Sequence, residues 1–343
     1  MHLDITCSTD DKYVQHCMAM LCSLFENNKA NHFRVHLLHH GLSGGRQQLI
    51  EELCMRYGND IIYYDVDPSK LKGAVLGDHN PDLSIATYYR ILLPSLLDEG
   101  IDRLFYLDCD VIVLRDISEL WQLDLEGYGI AAVRDSTPYN DRHRQLMGLR
   151  FGEHAFCAGV MMINLDYWRK HHSMERMLRF TETMSSQLMM EDQDVLNHEF
   201  RRNWFQLSYR YGRTPMSIVP FDDGLLDSDI SEYAFAPSII HYASHTKPWL
   251  TIHIPDDQYY WKYARLSGFP NPVRTKINSS KRNILRKQIL RFYINRYVRP
   301  FIPDLLEMLL RDVAEVARQL SLVIRPHAFK EYLVRRVLHK YRL

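Results

Sequence analysis

Short apolar runs alternate with longer amphipathic stretches through the first third of the chain, and this alternation restricts the fold more than any other feature. Leu3 to Cys7 reads as a strand, and Ser8, Thr9 and Asp10 offer caps for a helix reaching about Asn28. Phe33 to His39 is a second strand, followed by a Ser/Gly turn and a helix from about Arg46 to Tyr57. Ile61 to Val66 is a third strand. Ser84 caps a helical stretch ending at Pro94, and Leu104 to Leu107 is a strand running straight into Asp108-Cys109-Asp110. Strands separated by helices of this length predict an α/β fold with a mainly parallel sheet covered on both faces. In such sheets ligands bind beyond the carboxyl ends of the strands. Asp10 and Asp108 both lie there, so both are expected to face one crevice.

The second half is less regular. Gly159 to Leu165 reads as a buried strand, Asp166 as the cap of a helix through about Met184, and 209–237 as loops. Ser238 to Tyr242 is a last short strand carrying His241. Gly268, Pro270, Asn271 and Pro272 then punctuate the chain, and the composition changes beyond them. The division expected is a catalytic domain over 1–268 and a basic, amphipathic helical tail over 269–343. Formal net charge is zero over the whole chain, yet residues 274–343 hold 17 Lys+Arg against 5 Asp+Glu. In the tail, Leu306, Leu309, Leu310, Val313, Ala317 and Leu320 repeat at helical spacing. Such helices either pack on the body or lie on an anionic membrane surface, with basic residues at the lipid headgroups and aromatic residues in the interface. The body shows no basic groove or nucleic-acid motif, so nucleic acid is not an expected partner.

Six cysteines occur without a CxxC or zinc spacing. The opening MHLDITCSTDD lacks the basic start and apolar stretch of a signal peptide, and no apolar run reaches the length of a membrane span. The expectation is a reduced, cytoplasmic protein, at most peripheral on the inner face of a membrane.

The chemistry centres on FYLDCDVIVL, residues 105–114. Two carboxylates one residue apart at the end of a buried strand are costly to ionise unless a cation neutralises them. Oxygen ligands favour Mg²⁺ or Mn²⁺, ions that also bridge diphosphate oxygens. A strand-end turn and a helix cap give the same pattern, so Asp108 and Asp110 alone decide nothing. His241 opens the run HYASHTKPW; its imidazole suits an oxygen-rich Mn²⁺ site, and Lys247 a few residues on suits diphosphate. A core histidine and a solvated lysine are the alternatives.

Six blocks, taken together, resemble glycosyltransferase family 8, the retaining GT-A enzymes. They are ITCSTDDKY at the start, LSIATYYRILLP at 83–94, RLFYLDCDVIVLRDISELW at 103–121, FCAGVMMINLDYWR at 156–169, EDQDVLN at 191–197 and HYASHTKPW at 241–249. They stand in the family's order over about residues 3–265. The resemblance implies a GT-A fold and transfer of galactose or glucose from UDP-galactose or UDP-glucose to a carbohydrate or glycolipid acceptor. It implies Mn²⁺ or Mg²⁺ held by Asp108, Asp110 and His241, Asp10 at uracil, Arg90 along the donor and Lys247 at the diphosphate. Asp135 would lie near the donor sugar, Asp192 would hold its hydroxyls, and Gln193 would lie beside the anomeric carbon. A neutral Gln193 is a poor nucleophile, which favours front-face attack over double displacement.

The chain departs from the family in three blocks, the first at Lys12, which stands where some members have Asn. Cys157 stands where Asn usually precedes Ala-Gly, exchanging an amide for a weak donor and acceptor. Ser244-His245 replaces the usual Gly-Pro. Other classes fit less well. A dinucleotide-dependent dehydrogenase needs GxGxxG after the first strand, where this chain has Ser-Thr-Asp-Asp. A sugar nucleotidyltransferase wants a glycine-rich basic loop there. A non-catalytic sugar-nucleotide or glycan-binding protein would be expected to have lost metal ligands that are all present here.

Overall fold

The computed structural model describes residues 2–74, 76, 84–137, 139–215, 236–243 and 246–294. The tail beyond 294, with its Leu306–Leu320 repeat, most of the 209–237 loops, and Ser244-His245 lie outside the described residues.

A seven-stranded sheet forms the centre. Its strands are β1 (His2–Ser8), β2 (His32–His39), β3 (Asp60–Asp65), β4 (Arg103–Leu107), β6 (Ile130–Arg134), β7 (Phe156–Asn164) and β8 (Trp204–Leu207), in the spatial order β3-β2-β1-β4-β7-β6-β8. Strands β3, β2, β1 and β4 run parallel, with Ile5 beside Val35 on one side and Phe105 on the other. Strand β7 is antiparallel to both β4 and β6, and β8 is parallel to β6. Two short strands, β5 (Val111–Val113) and β9 (Ile239–His241), pair antiparallel in a separate ribbon.

Period-two geometry explains why β4 is apolar at successive positions. In β4, Phe105 and Leu107 enter one core cluster while Leu104 and Tyr106 enter the cluster on the opposite face. Helix α1 (Val14–Asn27) is buried from Val14 to Phe25, enclosed by the sheet, β5, α2 (Gly44–Arg56) and a helix at Asp257–Leu266.

The helix expected to end at Pro94 is a 3₁₀ stretch over Ile85–Leu92, capped by the Ser84 hydroxyl, which continues into α3 (Leu93–Leu96). Pro94 falls in the first turn of α3, where its missing N–H has no helical partner to lose. The helix expected from Asp166 to Met184 is two helices, α5 (Leu165–Lys170) and α6 (Ser173–Met184), separated at His172 with φ of 50°. Its cap is Asn164, whose side chain accepts from the Tyr167 N–H, rather than Asp166. Further short helices are α4 (Asp141–Leu146) and α7 (Glu191–Phe200); Asp257–Leu266 is α8 and Ser279–Tyr293 is α9.

Contacts cross the 268/269 division. Val273 N–H donates to Gln15 at 3.0 Å, Thr275 bridges to Leu250, and Leu285 and Ile289 of α9 belong to the main core cluster. Burying each such side chain contributes about 2 kcal/mol. A chain cut after Gly268 is therefore expected to melt several degrees below the full protein. Equal melting of this truncation and the full chain, by circular dichroism, counts against this packing.

Candidate active site

Strand order reverses beside β1, with β2 on one side and β4 on the other, and a cleft of about 1510 Å³ opens over the carboxyl ends of these strands. All nine residues singled out by sequence line it: Asp10, Arg90, Asp108, Asp110, Asp135, Asp192, Gln193, His241 and Lys247.

Asp108 and Asp110 follow β4 directly. His241 ends β9 opposite Val111, so pairing of β5 with β9 brings the imidazole to the two carboxylates. His241 Nε2 is 3.2 Å from Asp110 Oδ1 and 3.8 Å from Asp108 Oδ2, and one ligand atom from each of the three residues lies within 4.8 Å of the others. Room for this depends on Gly159 of β7. A Cβ there would stand 2.2 Å from the His241 ring and 2.7 Å from Asp108 Oδ2, closer than any side chain tolerates. Asp110 Oδ1 is buried and, although His241 Nε2 stands 3.2 Å away, makes no aligned hydrogen bond among the described residues. An orphaned carboxylate oxygen beside a second carboxylate and an imidazole is a donor set that fits a hard divalent cation.

Cations of the protein already balance these carboxylates. Lys247 Nζ donates to Asp110 Oδ2 at 2.5 Å and to the Tyr242 carbonyl at 2.9 Å. Burial pushes the Asp110 carboxyl up, but Lys247 and His241 outweigh it and hold the group well below the usual carboxylate range. Arg90 is 3% exposed and lies over the Tyr106 ring at 4.0 Å. Its Nη2 donates to Asp108 Oδ1 at 2.8 Å, and its Nη1 to the Ala158 carbonyl at 2.6 Å.

Asp192 and Gln193 occupy the first turn of α7, after Glu191 with φ of 46°. Asp192 Oδ1 accepts from the Thr87 hydroxyl. Its Oδ2 lies 3.0 Å from Arg90 Nε, but that N–H is directed at the Thr87 carbonyl, so Oδ2 stays buried with no aligned donor. Burial, only partly offset by Arg90 and Thr87, pushes the Asp192 carboxyl up to about 6. Gln193 Oε1 accepts from the Ala158 N–H at 3.0 Å, and its Nε2 donates to Asp135 Oδ2 at 2.8 Å and to the Tyr139 hydroxyl at 3.0 Å. Asp135 is thus the anchor of the Gln193 amide. Asp10 Oδ1 accepts the Lys12 and Tyr13 N–H groups, each at 3.0 Å, fixing the turn from β1 into α1.

Three participants escaped sequence reasoning. Tyr139 and Thr87 hold Gln193 and Asp192, and no spacing rule connects them. Asp194 is fully buried; its Oδ2 accepts the Met189 and Met190 N–H groups at 2.8 and 2.9 Å, and its Oδ1 meets His143 Nε2 at 2.5 Å. This carboxylate secures the turn that aims α7 at the cleft, and the EDQD run was its signal. A second convergence of ligand types, His2, His32 and Asp60, sits exposed at the amino ends of β1, β2 and β3, away from the cleft.

The crevice at the reversal point of this mixed α/β sheet thus gathers Asp108, Asp110 and His241, and similarity to known proteins gives the class to which the chain belongs. The chain belongs to glycosyl transferase family 8, whose model matches residues 4–253. It is 30% identical over 290 residues to general stress protein A of Bacillus subtilis, covering 80% of this chain and 97% of that one. It is 26% identical over 249 residues to the lipopolysaccharide 1,2-glucosyltransferase of Escherichia coli, covering 72% of this chain and 73% of the relative. Its fold matches the crystal structure of galactosyltransferase LgtC in complex with donor and acceptor sugar analogues. That match has a TM-score of 0.67 at 26% identity and covers 82% of this chain and 99% of that one. The GT-A architecture follows.

The raised Asp192 carboxyl gives a pH signature. Its folded value lies above the unfolded one, so between about pH 4 and 6 the folded protein keeps a proton that the unfolded chain releases. The stability contributed by that proton is complete below this window and is lost as pH rises through about 6. Asp192 is ionised only above it, so turnover is expected to fall on acidification through about pH 6. Thr87→Val, which removes a donor to Asp192 Oδ1, should move that limb to higher pH. A limb that stays in place in the Thr87→Val pH–rate profile rules Asp192 out as its source.

Proposed function

We propose that this protein transfers galactose or glucose from UDP-galactose or UDP-glucose to a carbohydrate or glycolipid acceptor, with retention at the anomeric carbon. The observation that carries the reading is the convergence of Asp108, Asp110 and His241, with Asp110 Oδ1 left without an aligned hydrogen bond, in the same cleft as the Asp192–Gln193 pair. Lipopolysaccharide glucosyltransferase and galactosyltransferase among the relatives support a hexose donor and a glycan or glycolipid acceptor.

Asp108, Asp110 and His241 would hold Mn²⁺ or Mg²⁺. Bound there, the ion supplies electrostatic stabilisation for charge developing on a departing diphosphate. The remaining roles fall to the chain itself. Lys247, on the Asp110 side of the cleft, adds positive charge at the leaving group, and Asp10 at the end of β1 receives the uracil. Arg90 holds Asp108 and Asp192 in one buried charge network, so the diphosphate end and the sugar end of the cleft share one anchor. Asp192 Oδ2, lacking an aligned donor, is suited to accept from a sugar hydroxyl, and its charge stabilises an oxocarbenium-like centre. Gln193 is neutral and both its donors are engaged, so it serves as a fixed dipole beside the anomeric carbon. Acceptor attack then occurs on the face the diphosphate leaves.

Asp110→Ala removes both carboxylate oxygens, the one facing His241 and the one paired with Lys247. Transfer is expected to fall by at least about 10³-fold, in line with loss of a principal electrostatic support. Circular dichroism should stay unchanged, and Mn²⁺ titration should show lost binding. Full transfer by this variant in the presence of a chelator would sink the metal-dependent reading.

The basic stretch from 274 onward is proposed to bring the cleft to an anionic membrane surface. Among the described residues no helix is long and apolar enough to cross a membrane, and the exposed Lys276, Arg286, Lys287 and Arg291 supply charge for surface attachment. Full-length protein should co-sediment with vesicles containing phosphatidylglycerol and be released by salt, and a form cut after Ile294 should bind more weakly. Binding that is indifferent to salt speaks against this attachment.

A further inference from the structure

The position at which this chain departs from its family in the FCAG block lies directly against the metal-ligating histidine. Residues 157 and 159 are two apart on β7 and so share one face of the strand. The His241 ring lies over that face. Its Cε1 and Nε2 occupy the space that a side chain at Gly159 would fill, and its Nδ1 lies 3.4 Å from Cys157 Sγ. The imidazole therefore faces Asp108 and Asp110 through Nε2 and the Cys157 sulfur through Nδ1. It is 5% exposed, so Nδ1 is removed from bulk water. Among the described residues, no hydrogen bond other than that to Cys157 reaches this nitrogen.

A neutral histidine that ligates through Nε2 carries its proton on Nδ1, and that N–H needs an acceptor to fix the tautomer and the ring orientation. We propose that Cys157 is that acceptor: a positioning residue whose sulfur receives the Nδ1–H of His241 and holds Nε2 towards Asp108 and Asp110. The inference rests on the metal-dependent reading above. It gives Cys157 a task of its own at a position where the family usually carries an amide, because the sulfur is committed to the His241 ring. Of the six cysteines Cys157 alone is not buried, in keeping with its place on the cleft wall.

The test is Mn²⁺ affinity of the full chain without donor or acceptor, measured by electron paramagnetic resonance of the free ion, for wild type, Cys157→Ser, Cys157→Ala and Cys157→Val. Serine keeps an acceptor, alanine removes it, and valine removes it while retaining volume. Loss of such an outer partner typically weakens metal binding 10–100-fold. Alanine and valine are expected to weaken Mn²⁺ binding by about 10-fold or more, and serine by less than about threefold, with all four proteins melting alike in chelator. Wild-type affinity in alanine and valine overturns the proposal, as does equal weakening in all three variants, which assigns the effect to packing. Absence of Mn²⁺ binding by the wild type is a different failure, because it removes the metal reading itself.

Discussion

Two carboxylates at the end of β4 are the constraint around which the rest of the structure is arranged. Asp108 and Asp110 leave a strand buried on both faces, where an ionised group without a counter-charge is expensive. The fold answers from separate elements: Arg90 from the 3₁₀ stretch before β4, Lys247 after β9, and His241 from β9. Arg90 comes from one part of the sequence and His241 and Lys247 from another, far along the chain, so the carboxylate pair ties these two segments together. One oxygen, Asp110 Oδ1, faces only the His241 imidazole and makes no aligned hydrogen bond among the described residues, which sets the crevice apart from an internally satisfied ion-pair network.

The same charge logic separates the two working carboxylates. Asp110 has a lysine and a histidine against it and is held ionised, whereas Asp192 shares Arg90 with Asp108 and is pushed up by burial to about 6. Two aspartates in one cleft thereby acquire different readiness to carry charge, and burial and partners set the difference rather than residue type. Arg90 is the hinge of this division. It contacts both Asp108 and Asp192 and braces itself on the Ala158 carbonyl, so β7 supports the site from beneath.

The parallel half of the sheet was legible because βαβ units alternate short, largely apolar strands with longer helices. The placement of Asp10 and Asp108 at strand ends followed from that alone, and the resemblance added the remaining cleft residues. Sequence patterns were silent on β5, β6 and β8. Two of these are only three and four residues long, too short for periodicity to separate from loop. The break between α5 and α6 was hidden because His172 adopts a left-handed conformation without the glycine or asparagine that usually announces one. Contacts such as Thr87 with Asp192, Tyr139 with Gln193, and Cys157 with His241 join residues that only the tertiary fold brings together.

The basic segment shows how charge and packing can follow different rules in one helix. Along α9, Leu285, Ile289 and Phe292 recur at i, i+4 and i+7 and are buried against the body. Arg286, Lys287 and Arg291 stand on the other side of the same helix and are exposed. Lys276, ahead of α9, and Arg291, near its end, also line the cleft that holds the metal ligands. Composition registers the charge and places a division where it begins. The apolar stripe, only three residues in this helix, is what fastens the start of the basic segment to the catalytic body. Packing of that stripe sets Lys281 and Arg291 of the helix at the wall of the cleft, while Arg286 and Lys287 face away from it.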